Sequence, residues 1–181
     1  MKDKEIELKF VINSKIKNAI LNDNLHNFIK ISNFRVVDTY YIPYFRDFEI
    51  NGETMECVRI RENEKGLILT YKKIHREVNP VYCDEYETKI SDKNQMEKIL
   101  FSLGFSVQMK IDKTRETYKM GGLEFDFDSV ENLGELLEIE IKDETTSIDD
   151  IFKFVSKYGL SEADVTYEGI QVMMKKAMNK K

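Results

Sequence analysis

The stretch "KEIELKF", Lys4–Phe10, alternates charged and apolar residues along its whole length. Successive side chains of a β-strand point to opposite faces, so Glu5, Glu7 and Lys9 are expected on one face and the apolar residues on the other. Alone, this pattern is typical of a sheet with one face on a core and the other in water. The segment therefore predicts a strand and leaves open what its charged face contacts.

Charged pairs spaced two residues apart recur on the other predicted strands, and each pair tends to carry one sign. The basic pairs are Arg59/Arg61 and Lys113/Arg115, with Lys72 on a further strand, and the acidic pairs are Glu85/Glu87, Asp126/Asp128 and Glu138/Glu140. Because whole strands carry one sign, and because amphipathic helices can cover the apolar faces, we predict that the charged faces line a common interior.

The order of elements predicts a mostly β member of the α+β class. It consists of a closed eight-stranded antiparallel barrel with peripheral helices, formed by one domain over residues 1–181. No Pro/Gly/Ser-rich linker interrupts the chain. Helices are predicted from Ser14 to about Ile31 and over Asp92–Leu103, Ile148–Tyr158 and Tyr167–Met178.

Composition excludes several classes of protein. The net charge of −5 argues against non-specific nucleic-acid binding, and the apolar runs are too short to cross a bilayer. The two cysteines, Cys57 and Cys83, form no disulfide framework, which favours reduced thiols in a cytoplasmic protein. Neither a P-loop nor a Gly-x-Gly-x-x-Gly run is present.

A face lined with sorted charges needs ligands of complementary charge, because buried like charges are costly. Arginine and lysine side chains suit phosphate oxygens, whereas clustered carboxylates suit Mg²⁺ or Mn²⁺. A polyphosphate bridged to carboxylates by divalent cations meets both needs. A plain carrier barrel would instead have an apolar interior.

The motifs resemble those of a known family. "EIELKF" resembles the Glu-x-Glu-x-Lys signature of the CYTH superfamily, or triphosphate tunnel metalloenzymes, which includes class IV adenylate cyclases, thiamine triphosphatases and inorganic triphosphatases. Further segments resemble family motifs in the family's order: "VRIRE", "LTYKK", "DEYETKI", "KTRETY", "FDSVENLGELLEIEIK" and "VTYEGI".

The resemblance implies a closed tunnel of eight strands and assigns roles to its charged residues. The implied triphosphate ligands are Lys9, Arg59, Arg61, Lys72, Lys113 and Arg115. The implied ligands of Mg²⁺ or Mn²⁺ are Glu5, Glu7, Asp128, Glu138 and Glu140. Three further acids hold a second metal or orient the basic side chains: Glu85, Glu87 and Asp126. Glu5 and Glu7 are the catalytic candidates on the nucleophile's side, and Lys9 is a base or a salt-bridged structural residue.

The resemblance leaves the reaction open. Hydrolysis of inorganic tripolyphosphate, thiamine triphosphate or a nucleoside triphosphate is favoured, since it is the commoner activity of the fold and no adenine-reading motif is evident. Cyclisation of ATP to cyclic AMP and pyrophosphate is the alternative, and a non-catalytic polyphosphate- or nucleotide-binding module is a third. Tyr40 or Tyr41 is a candidate partner of the catalytic lysine, or packs in the core. The resemblance also raises homodimer formation as an expectation.

Overall fold

The computed structural model describes residues 4–24, 27–78 and 81–179. Within these residues, eight strands of at least six residues are present, as predicted, together with three two-residue strands and four α-helices. The strands are β1 (Lys4–Glu5), β2 (Glu7–Ile12), β3 (Ile29–Pro43), β4 (Glu49–Ile50), β5 (Glu53–Thr54), β6 (Glu56–Asn63), β7 (Gly66–His75), β8 (Tyr82–Ile90), β9 (Phe105–Met120), β10 (Leu123–Val130) and β11 (Gly134–Ile141). The helices are α1 (Ser14–Leu21), α2 (Lys93–Ser102), α3 (Ile148–Ser156) and α4 (Ile170–Met178), and a 3₁₀ turn covers Glu162–Asp164.

The chain forms two compact units. Unit 1 comprises Met1–Glu5, Arg35–Lys113 and Glu168–Lys181, and unit 2 comprises Ile6–Phe34 and Thr114–Tyr167. Both β3 and β9 are long strands that contribute one half to each unit. That residues 1–181 form one domain therefore stays a prediction.

In unit 1, the strands pair antiparallel in the order β1-β8-β7-β6-β3. The β6–β7 hairpin turns between Asn63 and Gly66, whose φ of 119° lies in a region that glycine tolerates without steric cost. On the apolar face, five buried residues form a core against α2: Tyr41, Phe48, Val58, Ile60 and Leu100. Arg59, Arg61 and Lys72 of the same strands lie on the other face.

In unit 2, β10, β11 and β2 pair antiparallel. Leu8 and Phe10 of the opening segment are buried in a larger core that includes Ile20 of α1 and Phe154 of α3. The prediction that helices cover the apolar face of this strand is confirmed. Since Glu7 and Lys9 alternate with these buried residues, they project from the opposite face.

The predicted first helix is too long. α1 ends at Leu21, and β3 begins at Ile29, within the range predicted as helix. Phe28 explains the difference, because its ring packs edge-on against Phe125 and Phe154 at centroid distances of 5.0 and 6.0 Å. These tertiary contacts fix the chain before β3 and override local helix propensity.

The observed fold is a mostly β, antiparallel α+β structure with four helices in the described ranges. The N-terminal segment pairs with β8 at Glu5 and with β11 from Glu7 onward. Closure of the strands into a barrel stays a prediction. In the described part of the chain, no helix is long and apolar enough to span a membrane.

Candidate functional site

The register of unit 1 aligns the charged residues of neighbouring strands on one face. Arg59 lies directly opposite Tyr40 on one side and Thr70 on the other. In the next row, Lys72 lies between Cys57 and Glu85. Because directly opposed residues of antiparallel strands share a face, these rows form one continuous polar surface.

Asp38 lies at the centre of this surface and is fully buried. Arg61 binds it bidentately, with Nε donating to Oδ1 at 2.8 Å and Nη2 donating to Oδ2 at 2.9 Å. Arg59 and Lys113 approach the Asp38 carboxylate at 3.9 and 3.7 Å. Burial alone would raise the pKa of Asp38, but the three cations outweigh it and hold that pKa below its usual range.

Arg59 is itself only 8% exposed. Its Nη2 donates to Thr70 Oγ1 at 3.2 Å and lies 3.6 Å from Glu87 Oε1. Its Nε is buried and has no hydrogen-bond partner among the residues that the structure describes. A buried guanidinium nitrogen without an acceptor is costly, so this position favours an additional anionic ligand. We call Arg59, Arg61, Lys113 and the shared Asp38 the basic cluster.

Lys72 lies beside the basic cluster and bridges two of the predicted acids. Its ammonium contacts the carboxylate of Glu5 and lies 2.9 Å from Glu85 Oε2. The Cys83 thiol lies 3.5 Å from Glu5 Oε2. In this structure a lysine and a thiol therefore surround Glu5, the first of the predicted metal ligands.

In unit 2 the ratio of cations to carboxylates is the reverse of that around Asp38, since one arginine is surrounded by three carboxylates. Arg115 binds the fully buried Asp128 bidentately, with Nε–Oδ1 and Nη2–Oδ2 distances of 2.6 Å. Its Nη2 also donates to Glu138 Oε2 at 2.6 Å, and its Nη1 contacts Asp126. We call Arg115, Asp126, Asp128 and Glu138 the acidic cluster.

Further contacts complete the acidic cluster. Lys9 lies 3.1 Å from Glu138 Oε1, directly opposite it in the register. Thr117 Oγ1 donates to Asp126 Oδ1 at 2.6 Å. Burial, with smaller contributions from Glu138 and Asp128, raises the pKa of Asp126 in spite of Arg115 and Thr117. Arg115 and Lys9 together thus contact the three acids of this cluster.

Next to the acidic cluster lies a row of three glutamates. Glu140 on β11 is directly opposite Glu7 on β2 and directly opposite Glu124 on β10. Lys142 contacts the Glu140 carboxylate and lies 3.5 Å from Glu124 Oε1. Like charges in opposed positions destabilise a sheet unless cations neutralise them. We call Glu7, Glu140 and Glu124 the glutamate row.

The two candidate tyrosines lie on opposite faces of β3. The Tyr41 hydroxyl donates to Glu97 Oε1 at 2.7 Å, and its ring belongs to the apolar core against α2. Tyr40 is buried and lies opposite Arg59 on the polar face. Burial, followed by the charge of Asp38, raises the pKa of Tyr40 above its usual range. Of the pair, only Tyr40 shares the face of the basic cluster.

Asp38 of the basic cluster and Glu124 of the glutamate row were absent from the predicted site. Asp38 is a single acid within the apolar run "VVDTYY", so it has no partner two residues away. Its burial inside a strand was the signal that could have identified it, because a lone buried carboxylate requires cations. Glu124 alternates with Asp126 and Asp128 in "LEFDFD", and extending that pattern by one position would have included it.

Comparison with known proteins identifies the family of this chain. The family model described as the CYTH domain matches residues 3–169. This chain belongs to the CYTH family. The resemblance inferred from the motifs is thereby confirmed, and CYTH proteins include adenylate cyclases and triphosphatases that act on small triphosphates with divalent metals.

Three relatives illustrate the range of CYTH proteins that this chain resembles. A Methanocaldococcus jannaschii protein named "Putative adenylate cyclase MJ0240" is 37% identical over 137 residues, which are 75% of each chain. The PH1819 protein of Pyrococcus horikoshii is 27% identical with a TM-score of 0.76, covering 95% of this chain and 99% of that one. A Hippeastrum protein, described as an adenylyl cyclase candidate with a dominant triphosphatase activity, shares the fold alone at 17% identity, with a TM-score of 0.61 and coverage of 92% and 91%.

Proposed function

We propose that this CYTH protein is a divalent-metal-dependent triphosphatase that hydrolyses inorganic tripolyphosphate, thiamine triphosphate or a nucleoside triphosphate. The observation that carries the proposal is the basic cluster. Three buried or nearly buried cations share the single carboxylate of Asp38, and Arg59 Nε is left without an acceptor among the described residues. Phosphate oxygens are acceptors for such an N–H group and match the charge of the guanidinium.

The basic residues divide between two proposed roles. Arg59, Arg61 and Lys113 are the proposed phosphate ligands, with Lys72 beside them. Arg115 was predicted as a further phosphate ligand, but its guanidinium already binds three carboxylates. We therefore assign Arg115 a positioning role, in which it holds Asp128 and Glu138 in place.

The carboxylates of unit 2 fit a divalent metal. Their donor atoms are all oxygens, the preference of Mg²⁺ and Mn²⁺, and the glutamate row places like charges in opposed positions that a cation would neutralise. The proposed ligands in unit 2 are Glu7 and Glu140, with Asp128 and Glu138 as further candidates. Glu5, which belongs to unit 1, is a candidate through the family resemblance. When bound, the metal neutralises phosphate oxygens and makes water a better nucleophile. Lys9, which is 3.1 Å from Glu138, is proposed to hold a proton or a phosphate oxygen at its Nζ.

The closed tunnel implied by the family resemblance is part of this proposal. The N-terminal segment supports it, since that segment gives a strand to each unit through Glu5 and through Glu7–Ile12. Glu85, Glu87 and Asp126 are proposed to orient basic side chains. Their contacts support this role, because Glu85 lies 2.9 Å from Lys72 and Asp126 touches Arg115.

A second candidate function is the cyclisation of ATP. It is favoured by the name of the Methanocaldococcus jannaschii relative, which is 37% identical and carries an adenylate cyclase designation. Both reactions need in-line attack on phosphorus and neutralisation of the phosphate oxygens, so the same residues serve either one. They differ in the nucleophile, which is water in one case and a ribose hydroxyl in the other.

The deciding experiment offers the purified protein tripolyphosphate, thiamine triphosphate and ATP, each with Mg²⁺ or Mn²⁺. Orthophosphate, cyclic AMP and pyrophosphate are measured together. The proposal expects metal-dependent release of orthophosphate from at least one substrate. Cyclic AMP as the main product from ATP would replace hydrolysis with cyclisation. Binding without turnover of any triphosphate would favour the non-catalytic module.

A further inference from the structure

Lys142 follows the last residue of β11 and directs its charge at the glutamate row. Its backbone N–H donates to the carbonyl of Gly122 at 2.8 Å, which fixes the start of the side chain. The ammonium then contacts Glu140 and lies 3.5 Å from Glu124. The chain thus places a cation of its own at Glu140, which the proposed function assigns to a metal.

The Lys142 side chain is 38% exposed, whereas that of Glu140 is 22% exposed. A lysine ammonium is a compact charge on a flexible stem, so this partly exposed group can turn into water. Arg115 differs in both respects, since its side chain is 12% exposed and binds Asp128 through two parallel hydrogen bonds. Lys142 is therefore a displaceable counter-ion, and Arg115 is a fixed one.

We propose that Lys142 is a tethered competitor for the metal and sets the affinity of the site. Without a divalent cation, its ammonium neutralises Glu140 and Glu124. When Mg²⁺ or Mn²⁺ binds Glu140, the ammonium is displaced into water, because both cations need the same carboxylate oxygens. This inference rests on the proposed function for the metal role of Glu7 and Glu140.

Lys119 provides a matched control. It lies 3.4 Å from Glu124 Oε2, and its side chain is 49% exposed, so it resembles Lys142 in charge and exposure. The described contacts join Lys119 to Glu124, whereas Lys142 also contacts Glu140. Removal of the Lys119 charge should therefore affect metal binding much less.

The test measures Mn²⁺ affinity directly, without substrate, by electron paramagnetic resonance of free Mn²⁺. Lys142→Met is expected to bind Mn²⁺ about fivefold more tightly than the wild type, which is the effect of removing one partly exposed ion pair. Lys142→Arg should stay within about twofold of the wild type because it keeps the charge. Lys119→Met should also change the affinity by less than about twofold. Lys142→Gln replaces Lys142→Met if the latter fails to fold.

The outcomes separate this inference from the proposed function. Equal Mn²⁺ affinity of the wild type and Lys142→Met would overturn the competitor role and leave the metal site intact. An equal gain in Mn²⁺ affinity from Lys119→Met would show that any loss of nearby positive charge has this effect. That result would also overturn the competitor role of Lys142. Absence of Mn²⁺ binding by both the wild type and Lys142→Met would overturn the metal site itself. Raised salt should narrow the difference between wild type and Lys142→Met, because salt screens the exposed ammonium.

Discussion

The basic cluster and the acidic cluster are near mirror images in charge. In unit 1, the buried carboxylate of Asp38 is shared by three cations, and in unit 2 the guanidinium of Arg115 is shared by three carboxylates. Neighbouring residues offset part of each imbalance, since Glu87 lies 3.6 Å from Arg59 and Lys9 lies 3.1 Å from Glu138. The proposed function assigns each cluster a ligand of opposite charge: an anion to the basic cluster and a cation to the acidic cluster.

The largest loss of stability is expected when the central charge of the acidic cluster is removed. Arg115→Met leaves Asp126, Asp128 and Glu138 without their shared cation, and Asp128 is fully buried. We expect the free energy of unfolding to fall by about 3–5 kcal/mol, the usual cost of orphaning a buried charge. Urea denaturation measures the loss, and added Mn²⁺ should restore part of it whereas tripolyphosphate should not. A loss below about 1 kcal/mol would contradict the central role of Arg115.

The mirrored substitution tests the basic cluster. Asp38→Asn removes the buried carboxylate that Arg59, Arg61 and Lys113 share, and we expect a loss of about 3 kcal/mol in the free energy of unfolding. Here tripolyphosphate should restore stability and Mn²⁺ should not. Equal rescue of both variants by the same ligand would show that the two clusters do not differ in ligand preference.

Glu7→Gln tests the proposed metal role of the glutamate row. It removes one carboxylate charge opposite Glu140, and we expect metal-dependent turnover to fall about 100-fold, equivalent to about 2.7 kcal/mol in the activation barrier. Steady-state rates at varied Mn²⁺ concentration measure the effect. The control is Glu62→Gln, an exposed residue outside both clusters, which should change the rate by less than about twofold. Similar losses from both variants would remove the basis for assigning Glu7 to the metal.

The smallest change in stability is expected at Glu116, which lies outside both clusters and serves as a reference for them. Hydrogen bonds from Lys17 and Lys30 lower the pKa of Glu116 to about 2 from its ordinary 4.5. A lowered folded-state pKa stabilises the fold above pH 4.5, and this contribution is lost as the pH falls towards 2. We expect Glu116→Gln to cost about 1 kcal/mol at pH 7.

The pH dependence gives that prediction its test. Thermal unfolding of the wild type and of Glu116→Gln should differ at pH 7 and converge between pH 4.5 and pH 2, where the carboxylate of the wild type gains its proton. A constant difference across this range would show that Glu116 does not stabilise the fold through its charge.

Much of the fold was predictable because the alternation of charged and apolar residues shows which side chains of a strand share a face. In "KEIELKF", alternation alone separates Leu8 and Phe10, which are buried in the core, from Glu7 and Lys9 on the polar face. The same rule placed Arg59 and Arg61 correctly relative to Val58 and Ile60. Local chemistry also marks the start of α3, where Ser147 and Asp150 form a capping box.

Other features could not be predicted, because they depend on residues distant in the sequence. Asp38 acquires its role from Arg61 on β6 and Lys113 on β9, and no local pattern indicates that meeting. The end of α1 and the start of β3 depend on the ring contacts of Phe28 with Phe125 and Phe154. Tyr40 and Tyr41 were indistinguishable as candidates until the register placed one opposite Arg59 and the other in the core.

The sequence by itself determined the strands, the sign of the charge on each and the family to which the chain belongs. It did so because alternation along a strand and the spacing of charged residues are local properties. Only the tertiary structure decided that Asp38 joins three cations, that Arg115 joins three carboxylates and that Lys142 faces Glu140. Cross-strand register decides which charges meet, and register is set by the packing of whole strands rather than by any one of them.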